Sequence, residues 1–141
     1  MSNYATENLR TLALVGHGSC GKTTLIEAML YRAGMIPEMG SIQRGTTMCD
    51  NDLLEKEVGH SIRLAVAHID TAMTDLTPVR IHILDTPGYP DYLGQDMSAL
   101  DAVKSVCAVI DPTKGPELLT RRLMAMAKER GLCRMIVINH M

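Results

Sequence analysis

The chain has 141 residues, of which 46% are hydrophobic and 21% are charged, values that are ordinary for one globular domain with a buried core. Its formal net charge of −2 gives no overall basic field, so we predict no direct nucleic-acid site in these residues. No apolar run approaches the length of a membrane-spanning helix, and the polar segment 1–10 does not have the pattern of a signal peptide. We therefore predict a cytoplasmic protein with no membrane partner.

Apolar runs and helical periodicities alternate along the chain. In order, they predict a strand at 12–15, a helix at 22–33, a strand at 61–69, a turn at 71–78, a strand at 79–84, a helix at 92–104, a strand at 106–110, a helix at 116–130 and a strand at 135–138. The second and third strands are expected to pair as an antiparallel hairpin. Residues 35–60 show no clean period, and so long an irregular segment is either functional or disordered.

The strongest motif runs from Gly16 to Thr23, reads Gly-His-Gly-Ser-Cys-Gly-Lys-Thr and fits GxxxxGK[ST]. Glycines let main-chain amides wrap phosphate oxygens, and the following helix directs its positive end at the same anion. Lys22 can reach the β- and γ-phosphates, and the Thr23 hydroxyl can bind Mg²⁺. The alternative is a glycine-rich turn before an ordinary helix, but the motif lies between a predicted strand and a predicted helix. The sequence predicts a P-loop NTPase of three-layer α/β/α class, with a mostly parallel sheet and one antiparallel edge hairpin.

Two weaker motifs follow predicted strands. The first is Asp-Thr-Pro-Gly at 85–88, where the Asp can hold Mg²⁺ through water and the Gly can present its N–H to a γ-phosphate. Alone, these residue types are also typical of a plain turn. The second is Asn139, followed by His and Met, which resembles part of a guanine-reading NKxD motif. The alternative there is an asparagine that caps a strand.

The sequence resembles the GTPase domain of elongation factor G, and is more similar to its divergent paralogues than to the main translocase. The resemblance covers essentially the whole chain, in order, and is carried by the segments 7–17, 21–25, 45–48, 57–62, 85–94, 111–115 and 135–139. It implies that residues 1–141 are the N-terminal part of a translation-factor GTPase domain, with switch I at about 35–62 and switch II at about 85–95. The implied function is binding and hydrolysis of GTP with Mg²⁺, on the ribosome, by the full-length protein.

The resemblance also implies roles by position. The residues that would bind GTP or GDP are Gly16, His17, Gly18, Ser19, Cys20, Gly21, Lys22, Thr23, Thr24, Asp85, Gly88 and Asn139. The Mg²⁺ site would consist of Thr23, Ser61 and Asp85, the last acting through water. The catalytic residues would be Lys22, Tyr89 and Gly88. Gly88 would sense the γ-phosphate, and Asn139 would contact the base.

Several residues depart from the family pattern. Tyr89 stands where the main translocase has a His that positions the attacking water, and a phenol is a poor base at pH 7, although it could still orient water. Gly18 replaces a bulky apolar residue, so no side chain is expected to cover the phosphate there. Ser61 replaces Thr but keeps the hydroxyl. We therefore predict slow intrinsic hydrolysis.

The end of the chain also departs from the pattern. His140 replaces the usual Lys of the base motif, and the Asp expected next lies past Met141, so we predict poor selectivity for guanine. The family's last strand and helix would lie beyond as well. Residues 134–139 would then form an unprotected sheet edge, which could pair with a second copy of the chain.

Other interpretations fit part of the sequence. A P-loop ATPase or kinase shares the phosphate loop, although the switch-like residues 46–47 and 59–61 and the 85–88 motif argue against it. A nucleotide-sensing module with little hydrolysis would suit Tyr89 and Gly18. Cys20 could have a lowered thiol pKa near a helix N-terminus, or could simply be a small filler side chain. The histidines and cysteines show no metal-ligand spacing, so we predict no zinc site.

Overall fold

The computed structural model describes residues 4–50, 52–73 and 75–141. Within these ranges the elements are β1 (Leu9–Val15), α1 (Lys22–Arg32), α2 (Leu53–Val58), β2 (Ala65–Ala72), β3 (Pro78–Asp85), α3 (Leu93–Ala102), β4 (Ser105–Ile110), α4 (Leu118–Glu129) and β5 (Cys133–Ile138). Single 3₁₀ turns lie at Thr6–Asn8, Ile42–Arg44 and Pro90–Tyr92. Across the described parts of the chain, no helix is both long enough and apolar enough to cross a membrane.

The five strands form one mixed sheet in the order β2-β3-β1-β4-β5. Strands β3, β1, β4 and β5 are parallel, and β2 pairs antiparallel with β3, so the predicted edge hairpin is confirmed. The predicted start of β2 is four residues too early. Its pairing with β3 continues to Ala72↔Pro78, so the strand ends three residues later than predicted and the turn is shorter.

Helices cover both faces of the sheet, which confirms the three-layer α/β/α class. On one face, Ile26 and Leu30 of α1 pack in a cluster with Leu14 and Ile83. On the other face, α3 and α4 pack over β1 and β4, with Leu123 fully buried. Because full burial of one such aliphatic side chain stabilises a fold by about 1.5–3 kcal/mol, these two layers hold the central strands rigidly. The carboxyl ends of β1 and β3 therefore form a firm base for the loops that follow them.

The segment 35–60 contains regular structure that the sequence pattern did not predict. Besides the turn at Ile42–Arg44, it includes the helix α2. Asp52 caps that helix through its side chain, and the Glu55 side chain accepts from the Asp52 amide to complete a capping box. The signal was present in the sequence, since Asp followed three residues later by Glu is a helix-start pattern. It was missed because α2 is too short to show a helical period.

The strand β5 lies at one edge of the sheet, as predicted for residues 134–139. Its side chains are mostly exposed, and Ile136 has 62% of its surface accessible. An apolar strand edge of this kind offers unpaired main-chain groups to another strand. Pairing with a second copy stays a prediction.

Candidate phosphate-binding site

Residues 16–21, all of which the structure describes, form an irregular loop between β1 and α1. Gly21 immediately precedes α1 with φ of 90°, and a Cβ at this position would overlap Nδ2 of Asn139. At Gly16 a Cβ would likewise overlap the carbonyl oxygen of Val109. Both glycines therefore allow the main chain to lie closer to its neighbours than any side chain would permit. The N-terminus of α1 opens directly onto this loop, an arrangement that favours anions.

Lys22 points across the phosphate loop rather than away from it. The residue is only 5% exposed, and its Nζ donates hydrogen bonds to the carbonyl oxygens of Gly16 and His17, each at 3.0 Å. A Cβ on Gly88 would collide with the same Nζ, so the ammonium group lies between the loop and the start of the predicted second switch. An ammonium group in this place can exchange carbonyl partners for phosphate oxygens.

Thr23, Ser61 and Asp85, the three predicted Mg²⁺ ligands, lie together. The Thr23 hydroxyl donates to Oδ2 of Asp85 at 2.6 Å and lies 3.2 Å from the Ser61 hydroxyl. Asp85 is 1% exposed, and its Oδ1 has no hydrogen-bond partner among the described residues. Burial raises the pKa of Asp85 to about 6, although the Thr23 hydrogen bond and the Lys22 charge act in the opposite direction. Hard oxygen donors and an unpartnered carboxylate oxygen are the chemistry that Mg²⁺ prefers, so these residues fit that ion.

Asp50 joins the same cluster, and the sequence analysis did not identify it. Its Oδ1 accepts from the Ser61 hydroxyl at 2.7 Å, and its Oδ2 accepts from the Thr47 hydroxyl at 3.2 Å. The residue is buried, and its charge is one of the causes that raise the pKa of Asp85. Asp50 lies in a segment without period or motif, so only the folded chain reveals that it faces the predicted metal ligands.

Glu27 fixes the same segment to α1. This carboxylate is 1% exposed. Its Oε2 accepts from the Gly40 amide at 2.9 Å, and its Oε1 accepts from the Met48 amide. A short helix and two charge-assisted hydrogen bonds thus position residues that would otherwise form a long loop.

We expect Glu27→Ala to lower the free energy of unfolding by about 2–4 kcal/mol, since it removes two hydrogen bonds to a buried carboxylate and a hydrogen bond to a charged group contributes about 1.5–3 kcal/mol. Amide hydrogen exchange at Gly40 and Met48 should accelerate more than exchange in β4, as followed by mass spectrometry. Glu129→Ala, on the exposed end of α4, is the matched control. A Glu27→Ala protein as stable as that control would show that the carboxylate does not anchor the segment.

The motif at 85–88 begins at the end of β3 and packs against the phosphate loop. The Gly18 amide donates to the Gly88 carbonyl oxygen at 2.8 Å, and the Thr86 hydroxyl donates to the carbonyl oxygen of Leu14 at 2.9 Å. Because β1 and β3 are adjacent and parallel, with Leu14 opposite Asp85, the two motifs meet at one end of the sheet. The plain-turn alternative does not account for this convergence.

Gly18 itself carries no side chain that could cover a phosphate, but a side chain from another residue lies over the loop at this position. The ring of Tyr89 lies directly over Gly18, so that a Cβ there would be 2.6 Å from both Cε1 and Oη of the tyrosine. The ring centroid of His60 is 4.7 Å from that of Tyr89. From the sequence, Gly18 and Tyr89 were two separate departures from the family pattern, whereas in the folded chain they are in contact.

Asn139 reaches the phosphate loop from the end of β5. Its Nδ2 donates to the Cys20 carbonyl oxygen at 3.0 Å, so the side chain supports the loop itself. His140 instead lies 3.2 Å from Asp111. Two hydrogen bonds from Thr113, and to a smaller extent the one with His140, lower the pKa of Asp111 to about 2. Contact between Asn139 and a base stays a prediction.

Cys20 is a buried side chain of the loop, and burial raises its pKa. The nearby Lys22 charge acts in the opposite direction but is the smaller cause. Burial and the raised pKa favour the interpretation of Cys20 as a filler side chain.

Half of the predicted site residues line one cleft of about 270 Å³. The predicted residues that line it are Ser19, Gly21, Lys22, Thr23, Thr24, Ser61 and Tyr89. His17, Gly18 and Cys20 line a second, smaller pocket. Gln43 and His60 also line the cleft, and neither was predicted. A polar cleft at the carboxyl ends of parallel strands is the place where open α/β sheets bind their ligands.

A sequence profile of the elongation factor Tu GTP-binding domain matches residues 7–141. The chain belongs to this family. The chain is therefore a GTP-binding domain of the translational GTPase family. The alternative that it belongs to an ATPase or kinase family is not supported.

Individual members of the family agree with this assignment. The chain is 34% identical to a tetracycline resistance protein TetM of Enterococcus faecalis over 91% of its length, and 35% identical to an elongation factor G-like protein of Mycobacterium tuberculosis over 93%. It covers 19% and 18% of those proteins. A crystal structure of a Thermus thermophilus protein matches 92% of the chain with a TM-score of 0.83 and 36% identity, and the chain covers 19% of that structure. The chain thus spans about a fifth of the length of these relatives.

Proposed function

We propose that this GTP-binding domain binds GTP and GDP with Mg²⁺ and hydrolyses GTP as part of an elongation factor G-like protein acting on the ribosome, in the cytoplasm. The observation that carries the proposal is that Lys22 and Thr23 line one cleft and that the buried Asp85 lies directly behind Thr23, whose hydroxyl donates to it at 2.6 Å. A buried ammonium, a hydroxyl and a buried carboxylate lie there beside a helix N-terminus. This combination suits a polyphosphate with a divalent cation.

Each group has a defined task in this proposal. The amides of residues 16–24 and the Lys22 ammonium bind the phosphates, while Thr23, Ser61 and Asp85 hold the cation. Mg²⁺, when bound, neutralises charge on the phosphate oxygens. Asp50 keeps the Ser61 hydroxyl oriented through its 2.7 Å hydrogen bond. Residues 35–62 act as switch I and residues 85–95 as switch II, and Asn139 contacts the base.

Hydrolysis requires that water attack the terminal phosphate from a fixed direction. Gly88 lies beside Lys22, and Tyr89 lies over the loop next to it. A neutral phenol can orient water by a hydrogen bond but is a poor base. We therefore expect intrinsic turnover at or below roughly 10⁻² s⁻¹, the range of such GTPases without an activating partner.

The proposal is tested by titrating the protein with fluorescent GTP, GDP and ATP analogues in the presence of Mg²⁺ or EDTA, followed by phosphate-release assays with and without ribosomes. We expect Mg²⁺-dependent binding of both guanine nucleotides and turnover that rises when ribosomes are added. The ATP titration tests the predicted poor base selectivity, and a strong preference for GTP over ATP would contradict that prediction. A lack of Mg²⁺-dependent binding of guanine nucleotide would contradict the proposed function. Guanine-nucleotide binding without any ribosome-stimulated turnover would instead support a nucleotide-sensing module.

We also propose self-pairing through β5. Ile136→Lys places a charge on the exposed edge and should shift the protein toward the monomer in sedimentation velocity runs over a concentration series. Leu76→Lys, at an exposed position in the turn between β2 and β3, is the matched control and should leave the distribution unchanged. A wild-type protein that stays monomeric throughout the series would contradict this proposal.

A further inference from the structure

Gly18 and Tyr89 lie in contact, and the contact depends on the absence of a side chain at position 18. The three atoms that a Cβ on Gly18 would approach most closely all belong to Tyr89, namely Cζ, Cε1 and Oη. Carbon atoms that are not bonded to each other prefer a separation of about 3.5–4.0 Å, so any side chain at this position would displace the ring. The adjacent main chains are also joined, because the Gly18 amide donates to the Gly88 carbonyl oxygen at 2.8 Å.

Gly18 provides space for the Tyr89 ring and does not adopt an unusual backbone conformation. Gly16, Gly21 and Gly88 have positive φ angles, whereas Gly18 does not. Gly18→Ala would therefore introduce no main-chain strain. Any destabilisation would come from the clash with Tyr89 alone. Gly94 offers the comparison, because it also lacks a positive φ and a Cβ there would meet no atom within 4 Å.

His60 connects this pair to the predicted cation ligands. Its ring is tilted by 51° against that of Tyr89 with the centroids 4.7 Å apart, a distance and tilt typical of favourable aromatic pairs. The next residue, Ser61, has its hydroxyl 3.2 Å from that of Thr23. The ring of Tyr89 thus touches the phosphate loop on one side and switch I on the other.

We propose that Tyr89, seated on Gly18 and against His60, is a positioning residue that closes the phosphate loop beside Lys22 and holds the two switches in register for hydrolysis. The inference rests on the proposed GTPase function. The tyrosine ring takes the place over the loop that a side chain at position 18 would otherwise occupy, and His60 extends the same surface from switch I. Displacing the ring moves Gly88, its chain neighbour, relative to the loop, and so disturbs the group that faces the terminal phosphate.

The test is a double-mutant cycle on the protein, with Gly18→Ala, Tyr89→Ala and the double variant, measured in single-turnover GTP hydrolysis with excess ribosomes. Gly18→Ala should lower the hydrolysis rate constant by about tenfold to a hundredfold, since a misplacement of about 1 Å near a reacting group costs up to about a hundredfold. GDP affinity should change by less than about threefold, because interactions made only in the transition state do not contribute to ground-state binding. In the Tyr89→Ala background, Gly18→Ala should cause no further loss.

Two further variants test whether the loss of hydrolysis in Gly18→Ala comes from displacement of the Tyr89 ring or from another cause. Tyr89→Phe keeps the ring, so Gly18→Ala should lower the rate in that background as it does in the wild type. Gly94→Ala adds a methyl group where space is open and should unfold thermally no earlier than the wild type. A nuclear Overhauser contact between the Tyr89 ring and the Gly18 α-protons should be present in the wild type and absent in Gly18→Ala, independently of nucleotide.

The outcomes distinguish this inference from the function on which it rests. A wild-type protein that binds no guanine nucleotide would overturn the proposed function and the inference together. Normal binding and hydrolysis, combined with losses from Gly18→Ala and Tyr89→Ala that multiply in the double variant, would overturn the inference alone. A missing Overhauser contact in the wild type would also overturn it.

Discussion

Lys22→Met is expected to weaken GTP and GDP binding by about a hundredfold or more, because each hydrogen bond to a charged group contributes about 1.5–3 kcal/mol. The methionine keeps much of the apolar length of the lysine but removes the ammonium group that donates to Gly16 and His17. Those carbonyl groups lie in the loop itself, so the substitution removes hydrogen bonds that stabilise the loop as well as a group that binds phosphate. Titration with fluorescent nucleotide, after confirming the fold by circular dichroism, measures the effect.

Lys128→Met is the matched control for this result. Lys128 is exposed on α4, away from the cleft, and its replacement should change nucleotide affinity by less than about twofold, as is usual for a surface position. A Lys22→Met protein that is folded and binds nucleotide as tightly as this control would contradict the role of the ammonium group.

Asp85→Asn is expected to have opposite effects on function and on stability. The variant loses the buried negative charge beside Thr23 and Ser61, so Mg²⁺ should no longer enhance nucleotide affinity by more than about threefold, since hard cations depend on carboxylate charge. In EDTA and without nucleotide, the same change removes a buried charge with an unpartnered oxygen, and thermal unfolding should occur several degrees higher. Asp91→Asn, in the neighbouring exposed turn, is the control.

The stability gain from Asp85→Asn should depend on pH with a definite sign. Burial raises the pKa of Asp85 from 3.8 to about 6 in the folded chain, so the folded state holds this proton more tightly than the unfolded state. The resulting destabilisation is absent below the unfolded pKa and complete above the folded pKa, where it amounts to about 3 kcal/mol. The gap between variant and wild type in EDTA should therefore widen as pH rises from about 4 to about 7. If the difference in stability between variant and wild type stays constant across this range, burial of the Asp85 charge does not destabilise the folded state.

The features that the sequence predicted correctly are those with a local signal. The strand–loop–helix around Lys22 has a motif, a preceding apolar run and a following amphipathic pattern, and the structure has all three. The mostly parallel sheet and its antiparallel hairpin followed from the alternation of elements and from general rules of α/β sheets. The start of β2 was less accurate, because residues 61–64 alternate polar and apolar side chains, but the amides of residues 62–64 donate to the side chains of Glu55 and Gln95 rather than to β3.

The features that the sequence missed depend on contacts between distant residues. Asp50 meets Ser61 only after the segment between them has folded back on itself, and Glu27 reaches Gly40 and Met48 across a loop. Neither pairing has a fixed spacing that a motif could express. The contact between Gly18 and Tyr89 also joins residues that are distant in the sequence. In the sequence, each of them is a separate departure from the family pattern, and only the folded chain shows that the ring lies over the glycine.

The hydrogen bond from Asn139 to the Cys20 carbonyl oxygen joins residues 119 positions apart. Contacts between parts of a chain that are so far apart form slowly, because a large loop must close before they stabilise anything. The final shape of the phosphate loop therefore has to wait until the fifth strand has docked beside the fourth. We expect the ability to retain a ligand to appear at the last step of folding, after most of the helical signal has already developed.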